Sequence, residues 1–409
     1  MKEKLRSIYN TLDQREKFVL ALYISILISP VIPVLILAWM GIQSVVQRQF
    51  NWKVKAWPEG FFLLLMAISL LSWVLEPVYY YGIPIVLIPM LTFFLYYTLS
   101  LWVKSLGWTW RQIQRVYLLF WLLGLYPAVV ATLQRLGWFP MYKEPLLFIL
   151  GYYPLQNISH TRVVATALNS NLAAAMFICL ALISIYAAYV LTVKWQKWFA
   201  LACFFFYCTT IWFTGSRGAW VGLLIGLLVQ VWMTGNRKRT VGLFLSLVGL
   251  AALVYTNRTL IPREETLFAT AKVRIGVWQN SFQIFLDHWA LGTLPLRFGQ
   301  LFYERTGDTI NHAHNTFLSV ASEYGVAGFV GFCLLVVLTI SRARRWRKDA
   351  ILRVEKRLAG MLTSVVVALL SHGMYDHPIQ TPQIGLLFFF SVILIHDQYE
   401  RSRPHKLSS

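Results

Sequence analysis

In His312-Ala313-His314-Asn315 two imidazoles stand two residues apart, just ahead of a stretch that reads as helix from Thr316 to Tyr324. An imidazole at a loop-to-helix junction can serve as a general base near neutral pH, and Asn315 is a suitable N-cap to hold His314 there. His312 and His314 are not expected to serve one centre. His314 is the candidate base, with His312 and Asn315 in support. The competing roles are a metal ligand, for which Cys or further clustered His are lacking, and an ordinary surface His. Glu323 is placed either to orient an imidazole or to face water, and Asp376-His377-Pro378 is a lesser candidate of the same kind.

A second group of residues suits anion binding. In Thr214-Gly215-Ser216-Arg217-Gly218 the Arg precedes an apolar run, at the helix end whose dipole already favours anions. A cation beside that positive end is reasonable if a strong anion binds both. Arg274, in the amphipathic run 272–285, and Arg162, just ahead of another apolar run, are similar. Contact with lipid headgroups is the ordinary reading of each alone. Together they form a set of guanidinium forks that match phosphate oxygens. In 272–285 Val273, Val277, Phe282 and Phe285 are expected to share one face of a surface-lying helix.

The elements that must position these residues are membrane helices. Of 409 residues 57% are hydrophobic and 13% charged, about half the charge of a soluble domain. The fold class is all-α, a polytopic integral membrane protein built as one membrane domain over 1–409. Apolar runs lie at 18–46, broken by Ser29-Pro30-Val31-Ile32-Pro33 into two short helices, and at 61–75, 83–103, 116–131, 172–193, 199–213, 219–233, 241–255, 326–340, 358–372 and 384–395. The expected count is about twelve transmembrane helices. The chain begins Met1-Lys2-Glu3-Lys4-Leu5-Arg6, and no small-residue cleavage site follows its first apolar run, so that span is expected to be retained.

Charge sets the orientation. With both termini cytoplasmic, 27 of the 37 Lys and Arg fall on the inner side, as the positive-inside rule requires. Fusing the first two helices would invert every later loop. The net charge of +20 is then an orientation signal with attraction to anionic lipid, and nucleic acid has no place in it. Two long segments remain outside: 136–170, with Trp138, Tyr142, Tyr152 and Tyr153 as an interfacial aromatic belt, and 256–325, which holds the candidate chemistry on amphipathic helices. The four cysteines lie in apolar runs, without disulfide or zinc spacing.

Arg162 with Thr166 and Asn169-Ser170-Asn171, the Thr214 to Gly218 run, Arg274 with Trp278, and His312 to Asn315 followed by Leu318, Glu323, Gly325 and Gly328 together resemble the bacterial O-antigen ligase and polymerase superfamily. The likeness spans about Arg162 to Asp376. In Asp287-His288-Trp289-Ala290-Leu291-Gly292 the chain departs from a family segment that usually has Pro before the Leu and a Gly-x-Gly. The resemblance implies an inverting glycosyltransferase of the inner, cytoplasmic membrane with its active site on the outer face. Its partners would be an undecaprenyl-diphosphate-linked glycan donor, a glycan or lipid acceptor, and the lipid bilayer. It implies His314 as base and Arg217, Arg274 and Arg162 on the diphosphate, with no cofactor and no metal.

Ligase and polymerase differ only in acceptor, and no acceptor code is legible; ligase is adopted by family name. A lipid or polysaccharide transporter is the rival class, but transporters carry polar groups near the midplane on broken helices. Here the candidates cluster at the outer ends of the spans. A non-catalytic assembly partner, which would tolerate loss of His314, is the third reading.

Overall fold

The computed structural model describes residues 14–47, 57–138, 162–257 and 263–402. The charged start at Lys2, Lys4 and Arg6 and the aromatic residues Tyr142, Tyr152 and Tyr153 lie outside the described residues. The described chain is all-α apart from one two-residue antiparallel pair, β1 (Tyr79–Tyr80) with β2 (Ile83–Pro84).

The helices before this hairpin are α1 (Gln14–Ser25), α2 (Ile32–Val46) and α3 (Trp57–Leu75). The proline-broken pair forms as expected. Ser29 accepts hydrogen bonds from the Val31 and Ile32 amides, and Pro33 sits in the first turn of α2, where its missing N–H costs nothing. After the hairpin come α4 (Leu87–Leu106), α5 (Trp110–Leu123), α6 (Leu125–Arg135), α7 (Ser170–Val190), α8 (Lys194–Thr214), α9 (Arg217–Trp232) and α10 (Arg237–Thr256). The remainder comprises α11 (Leu267–Asp287), α12 (Pro295–Thr306), α13 (Thr316–Asp349), α14 (Arg353–His372) and α15 (Pro382–Ser402).

Seven of these stretches are long and apolar enough to cross a membrane: α3, α4, α5 continued by α6, α7, α8, α10 and α13. The other five expected positions also hold helices. α1, α2 and α9, at 12, 15 and 16 residues, fall short of the ~20 needed for a perpendicular span. α14 and α15 are long enough but carry charged residues at one end.

α7 and α15 lie at the centre. From Gln383 to Tyr399 every residue of α15 is buried, and α7 packs against α8, α9, α14 and α15. A helix apolar on all sides belongs inside a bundle. α10 is the opposite case: none of its residues is buried.

The segment between α10 and α13 forms a small second core. Val277 and Ile284 of α11 pack with Phe298 and Phe302 of α12 and with Ala313. The buried face of α11 is Val277, Ser281 and Ile284, at helical spacing. Val273 and Phe282 are exposed. At 100° per residue Phe282 falls about 140° from Val277, on the far side, whereas Val273 is only about 40° from it and is exposed because it lies one turn before the buried stretch begins.

This cap is fastened to the bundle where α13 breaks. Gly325 has φ +64 and ψ −169, so α13 is two helices, 316–324 and 326–349. The amides of Thr293 and Leu294 donate to the Ser322 and Glu323 carbonyls, and Val326 N donates to Trp289 O. The segment that departs from the family pattern therefore lies along this break. Arg297 of α12 forms an ion pair with Glu76 after α3.

Candidate active site

The first half of the site is built where the start of α13 meets the turn after α14. Asn315 caps α13 by accepting from the Phe317 and Leu318 amides, as its position suggested, and its Nδ2 donates to Met374 O. Thr316 N donates to Gly373 O at 2.6 Å, and Thr316 Oγ1 contacts both Asp376 O and His377 Nδ1. The two strands of chain are thus locked before either imidazole is placed.

His312 Nε2 and His314 Nδ1 each lie 3.2 Å from Asp376 Oδ1, and their ring centroids are 4.5 Å apart. The expectation that His312 and His314 do not serve one centre is corrected: residues i and i+2 can share one face of the chain, and here both rings reach one carboxylate, with His314 at φ +47. Glu323 is not the orienting acid. It is buried within α13 without a hydrogen bond to either His, and its Oε1 has no partner. Asp376, 5% exposed, takes that place.

Burial alone would raise the Asp376 carboxyl, but hydrogen bonds from His312 and His314, with their charges, hold it well below the usual carboxylate range. A carboxylate only accepts, so the imidazole nitrogens facing it carry hydrogens. His314 is left with Nε2 as an open acceptor, on a side chain 32% exposed. His377 is different: burial, then the charge of His312, pushes it down to about 3, so it stays neutral. Its amide donates a further hydrogen bond to Asp376 Oδ1. The ligand atoms of His312, His314 and Asp376 lie within 4.8 Å of one another, a set that geometry also allows to ligate a metal ion.

The second half is a group of guanidiniums. Arg162 donates from Nε to Thr214 O at 2.8 Å and from Nη2 to Asn171 Oδ1 at 2.9 Å. Arg217, the first residue of α9, donates to Arg263 O. Arg162 and Arg263 both lie over Gly215, at φ +63: the Cβ position there is 3.5 Å from Arg263 Nε and 3.6 Å from Arg162 Nε. Burial pushes Arg162 down to about 10, and Arg263, Arg274 and Arg217 add to the fall while Asp376 opposes it. Burial also lowers Arg274, again against Asp376 and with Arg263. The same carboxylate acts on both arginines, so the two halves form one electrostatic unit.

Arg217 and Arg274 line a groove of about 330 Å³ with Thr270, Trp278 and Tyr375, the residue before Asp376. Arg263 Nε and Trp278 Nε1 are buried donors without an acceptor. Unpaired buried donors are costly, and a bound anion would satisfy them. The structure thus gathers all three expected arginines and adds a fourth. Arg263 went unread because Glu264 and Glu265 follow it, as in a solvated charge run. Its φ of +56 turns it inward.

A family model described as O-antigen ligase matches residues 199–333. That interval contains Arg217, Arg263, Arg274, His312, His314, Asn315 and Glu323, while Arg162 and Asp376 lie outside it. No curated protein matches the chain.

Proposed function

Residues 199–333 support membership of the O-antigen ligase superfamily, and from that premise we propose that this protein is an inverting glycan ligase. It moves a glycan from an undecaprenyl-diphosphate donor to an acceptor hydroxyl on the outer face of the cytoplasmic membrane, without a metal. The observation that carries this reading is His314, held through Nδ1 by Asp376 with Nε2 open, beside a groove bordered by guanidiniums.

His314 Nε2 takes the proton of the acceptor hydroxyl. The oxygen attacks the anomeric carbon from the face opposite the diphosphate, the glycosidic C–O bond breaks, and its electron pair leaves with the diphosphate. Arg217 and Arg274, with Arg162 and the newly located Arg263, take up the charge that develops on the leaving group, commonly the largest catalytic contribution. Asp376 fixes the tautomer of His314 and stabilises the imidazolium, while His312 and Asn315 hold the junction. With four guanidiniums around the leaving group, a divalent cation has little left to neutralise.

The proposed topology is twelve spans in one membrane domain with both termini cytoplasmic. It counts α1, α2, α9, α14 and α15 with the seven long apolar stretches and leaves 136–170 and 256–325 outside. Helices at all twelve positions support it, as does the charge distribution.

The test is transfer from a purified undecaprenyl-diphosphate oligosaccharide in detergent with EDTA, comparing the intact protein with His314→Ala. Product from the first and none from an equally folded variant is expected. Equal product from both would remove His314 as base, and dependence on added metal would overturn the metal-free scheme. Products extended by repeated transfer would point to a polymerase.

A further inference from the structure

The α7–α8 pair carries a second groove at the end of the bundle away from the arginines. α7 begins beside Asn171 and α8 ends at Thr214, the two partners of Arg162. Each helix has 21 residues, about 30 Å at 1.5 Å per residue. The groove at their other ends, around Tyr189 and Lys194, therefore lies about that far from Arg162 and shares no lining residue with the Arg217–Arg274 groove. It encloses about 480 Å³, within the range of roughly 300–1,000 Å³ typical of small-molecule sites.

Its chemistry is divided. Ile185, Ala188 and Leu201 supply an apolar wall, and Lys194 and Lys197 stand at its rim with Trp198. Both lysines occupy the first turn of α8, which has no acidic residue. Free amides and the helix dipole already make that turn positive. Neither lysine belongs to an ion pair among the described residues. Arg357 brings a third cation to the same end: its guanidinium lies 5.1 Å from the Tyr189 ring centroid and donates to Tyr189 O. Trp198 is 64% exposed beside an apolar helix, as a residue at a membrane interface is. Arg357 is already met by the Tyr189 carbonyl at the end of α7, but Lys194 and Lys197 stand without an ion-pair partner at a positive helix end, which suits an anion, and the wall beneath them suits hydrocarbon.

We propose that this groove binds an anionic glycerophospholipid of the adjoining leaflet, with its phosphate at Lys194 and Lys197 and an acyl chain along Ile185, Ala188 and Leu201. A free phosphate would meet only the first requirement.

The test is native mass spectrometry of the intact protein released from detergent after incubation with phosphatidylglycerol or phosphatidylcholine. Preferential retention of phosphatidylglycerol is expected. Lys194→Ala with Lys197→Ala should weaken it about 30-fold, at the usual strength of two lysines near a lipid surface. Ala188→Trp keeps both lysines but fills the wall, and should also lose the lipid. Arg237→Ala with Lys238→Ala, which removes the same charge from the start of α10, should leave retention unchanged. Equal retention of both lipids, or an equal loss in the α10 variant, would show diffuse attraction and overturn the proposal. Displacement of the lipid by millimolar inorganic phosphate, with Ala188→Trp unaffected, would assign the groove to a free anion instead.

Discussion

His314 Nδ1 lies 3.2 Å from Asp376 Oδ1, across 62 residues of sequence, with a left-handed backbone at His314. Asp376→Asn keeps the shape but presents an amide in place of an anion, so His314 loses the partner that fixes its tautomer and supports its imidazolium. Turnover should fall about 10²–10⁴-fold, the usual worth of a positioned general base, with little change in KM for the donor. A variant that raised KM and left kcat intact would place Asp376 in ground-state binding instead.

Arg263 is expected to contribute to diphosphate binding on the same footing as Arg217 and Arg274. A charge-assisted hydrogen bond is worth roughly 1.5–3 kcal/mol. Arg263→Ala should therefore weaken inhibition by undecaprenyl diphosphate about 10- to 100-fold, and Arg263→Lys should recover only part of it, because an ammonium lacks the planar fork. Inhibition unaltered in Arg263→Ala would mean that this guanidinium only braces Arg217.

Stability should fall on acidification through this site. His377 is depressed to about 3 in the folded protein against about 6.5 unfolded. Between those values the unfolded chain binds more protons, so stability declines as pH drops from about 6.5 towards 3. Asp376 acts in the same sense at the lower end, since its contribution is complete above the unfolded value of about 3.9 and is lost as pH falls through the depressed folded one. Unfolding temperatures followed by tryptophan fluorescence from pH 7 to pH 4 should fall more steeply for the intact protein than for His377→Asn. Parallel curves would dismiss His377 as the source.

Gly292 and Gly325 hold the cap against the bundle by backbone contact. A Cβ at Gly292 would lie 2.3 Å from the Glu323 carbonyl carbon, and one at Gly325 would lie 2.3 Å from Ala290 O, with φ positive at both. Alanine at either should lower the unfolding temperature and abolish transfer, because backbone atoms cannot yield as a flexible side chain does. Gly276 in α11 has open space at its Cβ, and alanine there should be neutral or stabilising by about 0.5–1 kcal/mol, as in a helix interior. Tolerance of alanine at Gly325 would mean that the break in α13 is incidental.

Much of the fold was legible from local pattern. Apolar runs without charge produce helices at the twelve expected positions, Pro30 and Pro33 divide the first run, and Asn315 starts α13, because hydrophobic periodicity, proline and capping act within a few residues. Arg162, Arg217, Arg274 and His314 stood out for a related reason: a charged or titratable group beside an apolar span has few ordinary explanations.

What local pattern does not carry is where distant segments meet. His314 and Arg263 both adopt positive φ, a backbone state that the surrounding residue pattern does not set. The pairing of both imidazoles with Asp376, the meeting of Arg162 with Arg263 over Gly215, and the docking of 289–294 on the break at Gly325 join residues from about 30 to more than 100 positions apart. The sequence by itself determined an all-helical membrane protein with a polar insert and the residue types for acid–base and anion chemistry. Only tertiary packing decided which carboxylate meets the imidazoles and which arginines gather together, because those choices rest on contacts between separate helices and on burial, and neither is set by residue spacing.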